Sequence, residues 1–134
     1  MNQALAADTH SAIWYLLKSP KLSKAAFQAI NEAEKNNQPI YVSAISIVEI
    51  IYLIEKRRLE EQDLQDLLKE IKNPLSNFEL ISIDLIVTQS LRQIKRDEVP
   101  DMPDRIIAAT ALHLNVPLVT RDGKIRATTL TTIW

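Results

Sequence analysis

The sequence contains no cysteine, so disulfides and thiolate metal sites are excluded. That absence suits a reducing compartment. Glycine occurs once, at Gly123. A P-loop, a dinucleotide fingerprint and a glycine-rich kinase loop all need glycines for tight turns or close approach to phosphate. Nucleotide cofactors held in those ways are excluded too. Neither sign of charge dominates: the formal net charge is −1. Composition alone therefore carries no signal for nucleic acid, and any such binding must rest on a local basic patch or on bound metal. Long apolar runs are missing as well. The strongest, Ile45 to Ile54, is broken by Ser46, Glu49 and Tyr52 and is too short to span a bilayer. No charged-then-apolar leader opens the chain. The expectation is a single soluble, cytoplasmic domain over residues 1–134, large enough to bury a core, with no membrane association.

What is present is an alternation of short apolar runs with helical patterns. Strands are expected at about 4–8, 39–42, 78–83, 117–120 and 131–134. Helices are expected at about 10–18, 23–36, 43–58, 61–72, 84–97 and 101–115. Ser23 and Ser43 are natural caps, Asn73-Pro74 stops one helix, and Pro103 falls in the first turn of another. Strands separated by helices imply an α/β fold whose mostly parallel sheet is covered on both faces.

Four carboxylates sit where these elements begin or end. Asp8 follows Ala4-Leu5-Ala6-Ala7, and Asp122 follows Pro117-Leu118-Val119-Thr120-Arg121. Both mark the carboxyl ends of buried strands, the edge at which open α/β sheets bind ligands. Asp104 opens a helix, and Glu49 lies within an apolar one. Each has an ordinary alternative. Asp8 could be an N-cap, Asp104 could complement the helix dipole after an Asp101 cap, and Asp122 could be a turn residue before Gly123. Glu49 is harder to explain this way. Its helical neighbours Ile45, Tyr52 and Leu53 are apolar, and an unpaired charge on that face is costly. A capping box from Ser46 would require the helix to start there, and Ser43 is the better start. A buried pair with a basic residue is the other alternative. The joint pattern brings four acids to one sheet edge. Their hard oxygen donors suit Mg²⁺ or Mn²⁺, as two ions about 3.5–4 Å apart or as one ion plus a water-orienting base.

His10 lies two residues from Asp8 and would titrate near neutrality, but a surface position at a helix start is the better reading. His113 lies near a helix carboxyl end, where a cation is favourable. Neither belongs to a Ser/His/Asp or Cys/His arrangement.

The segments Asp8-Thr9-His10, Ser43 to Ile50, Pro103 to Ala111, Leu118 to Asp122 and Ile133-Trp134 together resemble the PIN-domain ribonucleases, in particular the VapC-like toxins of bacterial toxin–antitoxin pairs. The resemblance runs from near the first residue to the last. The first strand departs from it in being alanine-rich, and Gly123-Lys124 replaces a more varied loop. The resemblance implies a three-layer α/β/α sandwich with a sheet of four to five strands. It implies that Asp8, Glu49, Asp104 and Asp122 form an acidic Mg²⁺ site, supported by Asp101 and the Thr120 hydroxyl. The implied activity is endoribonuclease hydrolysis by water, leaving a 5′-phosphate and a 3′-hydroxyl. Arg105, Arg121, Lys124 and Arg126 lie near the acids in sequence and could contact the RNA backbone, although solvated surface is an equal reading for the last two. A cognate antitoxin and a homodimer are implied partners. The apolar stretch Ile13 to Leu17 and the helix positions Ile47, Ile50, Ile51 and Ile54 offer surface for such contacts. Burial within one protomer is the better reading for Leu16, Leu17 and Ile50.

A dehalogenase-like phosphatase would need a second aspartate where His10 stands, and a receiver domain would need a lysine that Arg121-Asp122 does not supply. A non-catalytic PIN-like RNA-binding or scaffold module remains the alternative to an enzyme.

Overall fold

Successive side chains of a strand point to opposite faces of a sheet, and here the two faces bury separate clusters. The protein is described by a computed structural model covering residues 3–134. Its strands are β1 (Leu5–Ala7), β2 (Ile40–Ser43), β3 (Phe78–Ile81), β4 (Leu118–Val119) and β5 (Thr132–Ile133). They form one sheet in the order β3-β2-β1-β4-β5, with every neighbouring pair parallel. Leu5 pairs with Ile40, and Ala6 pairs with Tyr41 on one side and Leu118 on the other. Leu5, Ala7, Ile40, Val42 and Phe78 pack with α1 (Thr9–Leu16), α2 (Lys24–Lys35) and α4 (Glu61–Lys72). Ala6 and Leu118 pack on the opposite face with α6 (Met102–Leu114) and with Ile94, Val99 and Ile125. Helix α3 (Ala44–Glu55) joins both clusters, through Ile50 to the first and Ile45 to the second.

The alanine-rich β1 has weak intrinsic strand preference, yet it is the central strand. The ladder on both sides overrides propensity. Ala6 N–H donates to Pro117 O at 2.9 Å, and Asp8 N–H donates to Val119 O at 3.1 Å. From β1 the chain builds outward through β2 to β3, then returns to place β4 on the other flank. The order therefore reverses between β1 and β4, and a crevice opens at their carboxyl ends.

Three features differ from the sequence expectation. The helix expected over 84–97 is α5 (Leu85–Ser90) followed by a 3-10 turn at Leu91–Gln93. Arg105 accounts for the break: its guanidinium donates to Ile94 O at 2.8 Å and to Leu91 O at 3.0 Å. A four-residue helix, α7 (Gly123–Arg126), follows β4 where only a turn was expected. Leu17, expected inside, is 49% exposed, whereas Leu16 is partly buried and Ile50 fully so. Among the described residues no helix is long and apolar enough to cross a membrane.

Candidate active site

The crevice is a cavity of about 340 Å³. Five acids line it: Asp8, Glu49, Asp101, Asp104 and Asp122. Thr9, His10, Ser11, Trp14 and Arg121 complete its wall.

Three of these acids cap helices, so the ordinary use and the site position coincide in one side chain. Asp8 Oδ1 accepts from Ser11 N at 2.9 Å at the start of α1. Asp101 Oδ2 accepts from Asp104 N at 3.1 Å at the start of α6. Asp122 Oδ1 accepts from Ile125 N at 2.9 Å at the start of α7. Each such bond satisfies an orphan N–H of the first turn and stabilises the helix by about 1 kcal/mol. Thr120 is fully buried, and its Oγ1 accepts from Asp122 N at 3.0 Å. That bond fixes the turn carrying Asp122 into the cavity.

Glu49 is not part of a capping box. The N-cap of α3 is Ser43, which accepts from Ile45 N at 3.2 Å. Nor is its hydrogen-bond partner a basic residue: Thr9 Oγ1 lies 2.6 Å from Glu49 Oε1 and 2.8 Å from Ser46 Oγ. A hydroxyl carries one proton. The shorter, charge-assisted bond takes it, and the Ser46 hydroxyl then donates to Thr9. Burial raises the Glu49 pKa, and Asp101 and Asp8 raise it further, while the Thr9 bond opposes them. Thr9 and Ser46 are buried hydroxyls; the sequence reading weighed Ser46 only as a helix cap and gave Thr9 no role. The available signal was spacing, because Ser46 and Glu49 stand three apart on one face of α3.

Asp104, in the first turn of α6, is the most perturbed acid. Burial pushes its pKa up to about 7, and Asp101, Asp122, Glu49 and Asp8 all act in the same direction. The same four acids share the cavity lining with Asp104, so the five converge on one site.

The basic residues divide. Arg121 lines the cavity, with its guanidinium 4.8 Å above the Trp14 ring. Lys124 lies on α7, exposed and outside the lining. Arg105 does not line the cavity, since its guanidinium holds the carbonyls of Leu91 and Ile94. Arg105, expected from its place in the sequence to contact RNA, thus has two of its donors engaged by the backbone. His10 lines the wall, exposed, as read from the sequence, and His113 falls in the last turn of α6.

The donor set is all carboxylate oxygen, which fits a hard divalent cation. The raised Asp104 pKa marks a place where positive charge would relieve repulsion. As the side chains stand, no group of three His, Asp or Glu among the described residues is close enough to hold an ion.

A family model described as PIN domain matches residues 6–129. The chain belongs to the PIN-domain family. It is 30% identical over 120 residues to Ribonuclease VapC22 of Mycobacterium tuberculosis, covering 90% of this chain and 88% of that one. Among solved structures it is similar to VapBC2 from Rickettsia felis bound to a DNA fragment from their promoter. There the TM-score is 0.69 at 22% identity, with 96% of each chain covered. VapBC-1 from nontypeable Haemophilus influenzae gives a TM-score of 0.67 at 18% identity, again over 96% of each chain. At such identities these structures establish likeness of fold.

Proposed function

We infer that this protein is a Mg²⁺-dependent endoribonuclease, with Mn²⁺ as a substitute ion, and the toxic member of a VapBC-type toxin–antitoxin pair. The observation that carries the reading is the convergence of five acids on one cavity at the topological switch point, where Asp104 is pushed up to about 7. The ribonuclease name of the relative from M. tuberculosis supports RNA as substrate.

Asp8, Glu49, Asp104 and Asp122 would hold the metal, with Asp101 and Thr120 fixing two of the helix starts that present them. When bound, a divalent ion supplies Lewis acidity, activating water and neutralising charge that builds on the phosphate. The residues of the chain do the rest. Thr9 and Ser46 hold Glu49 in one orientation. Cation entry and loss of the Asp104 proton are coupled, because proton and cation relieve the same crowding and compete for the same oxygens. Arg121 stands at the wall to contact an RNA phosphate, and Lys124 offers a further exposed charge on α7. The test is cleavage of bulk RNA with and without Mg²⁺, followed by sequencing of the ends. A 5′-phosphate and a 3′-hydroxyl are expected. Absence of any metal-dependent cleavage would favour a non-catalytic RNA-binding or scaffold module.

Thr9→Val removes the hydroxyl but keeps the shape. It leaves Glu49 and Ser46 without their partner, so a loss of about 1–3 kcal/mol is expected in urea melts. Cleavage should fall about 10–100-fold, the range for a group that orients a metal ligand, and Thr9→Ser should keep most of it.

The partner reading rests on α3. Val48, Ile51 and Tyr52 are 45%, 41% and 59% exposed, while Leu85 and Ile86 on α5 are 75% and 58% exposed. Such apolar surface fits contact with a second copy and with an antitoxin. Light scattering at tens of micromolar should give a dimer mass. A clean monomer would count against it.

A further inference from the structure

The acidic side of the cavity has an aromatic and basic counterpart. His10 and Trp14 stand four apart on α1 and so share a face; their ring centroids are 5.3 Å apart, tilted by 45°. Trp134 continues the row at 6.2 Å from Trp14. The Arg121 guanidinium covers Trp14 at 4.8 Å, and the Lys21 ammonium is near enough for its charge to be felt at His10. Trp14 is only 9% exposed, so it serves as the buried support of the row. His10, Arg121 and Lys21 are exposed, and the first two line the cavity.

Size decides what this wall can meet. A cavity of about 340 Å³ lies near the lower end for a small-molecule pocket. It has room for about one nucleotide and not for a run of them, so a longer RNA must continue along the rim. The acidic side of that rim repels phosphate. The His10–Arg121 side offers a ring face and a guanidinium together, the pairing by which unpaired nucleic acid is bound.

We propose that His10 and Arg121 form a binding subsite for the nucleotide next to the cleaved bond, with its base stacked on the His10 ring and its phosphate on the Arg121 guanidinium. Trp14 supports both groups from beneath, and Lys21 extends the path outward. The base must be unpaired, because in a duplex its faces are covered by neighbouring pairs. This subsite rests on the ribonuclease reading and deepens it.

The test uses the full chain and two oligoribonucleotides of one cleavable sequence, one intact and one abasic at the adjoining nucleotide. His10→Ala should raise KM for the intact oligomer about 5- to 150-fold, the range for loss of one stacked base. His10→Phe should restore it, because a ring face is what is required. Neither change should alter KM for the abasic oligomer. Arg121→Gln should raise KM for both oligomers and weaken the dependence of KM on salt. His10 and Arg121 are exposed, so melting close to wild type is expected and is checked first. If His10→Ala cleaves the intact oligomer with wild-type KM, the subsite is refuted while the ribonuclease reading stands. If the wild-type protein cleaves no RNA with Mg²⁺ or Mn²⁺, both fall.

Discussion

Asp104→Asn is expected to lower Mg²⁺-dependent RNA cleavage by at least about 10²–10³-fold, the range seen when one preorganised electrostatic group is lost. The fold should survive. Asp104 is not the cap of α6; that role belongs to Asp101, which accepts from the Asp104 backbone N–H and would still do so. Asparagine also removes the carboxyl group against which four other acids are crowded. The metal-free variant should therefore melt no lower than wild type at pH 8. Circular dichroism and a cleavage assay check both halves. Full activity in a folded variant would remove Asp104 from the site.

The second large effect is a reversal of pH dependence by metal. In the metal-free protein Asp104 has a pKa of about 7, against an ordinary 3.8. Between those values the folded state binds more protons than the unfolded one, so stability falls as pH rises through the window. Glu49, also raised, acts in the same direction. Acidification from pH 8 to 5.5 should stabilise the metal-free protein by on the order of 1–2 kcal/mol, after discounting for partial exposure. Mg²⁺ at 100 times its Kd should add about 2.7 kcal/mol at pH 8. That gain should shrink at pH 5.5, where protons hold the same oxygens. Calorimetric melts at the two pH values, with and without Mg²⁺ or Mn²⁺, give all four numbers. A melting temperature indifferent to millimolar metal at pH 8 would rule the cation site out.

Much of this site could be read from local sequence because its makers are local signals. Asp8 and Asp122 follow strand ends, and Ser43 directly after β2 sets the start of α3 and hence the placement of Glu49. What could not be read was decided by contacts distant in the chain. Thr9 meets Glu49 across 40 residues, and nothing beside Thr9 announces that bond. Arg105 drew notice as the sequence neighbour of Asp104, and nothing local announces its backbone bonds. In the fold it reaches back to carbonyls eleven and fourteen residues earlier and ends the helix expected there. Leu17 lies in an apolar run that suggests burial, but α1 ends at Leu16 and leaves Leu17 outside the packed face. α7 was missed because four residues are too few for a periodic pattern.

That Asp8, Asp101 and Asp122 cap the helices they begin has a consequence for control. Starting α1, α6 and α7 and aiming carboxylates at the cavity are one event, made by the same three side chains. In the folded domain three of the five lining acids are therefore held at the cavity by the bonds that start these helices. Loosening the site means fraying helix ends, which carries a stability cost. A cell that makes this chain and needs it quiet must impose restraint from outside, by covering the cavity or keeping it from its cation.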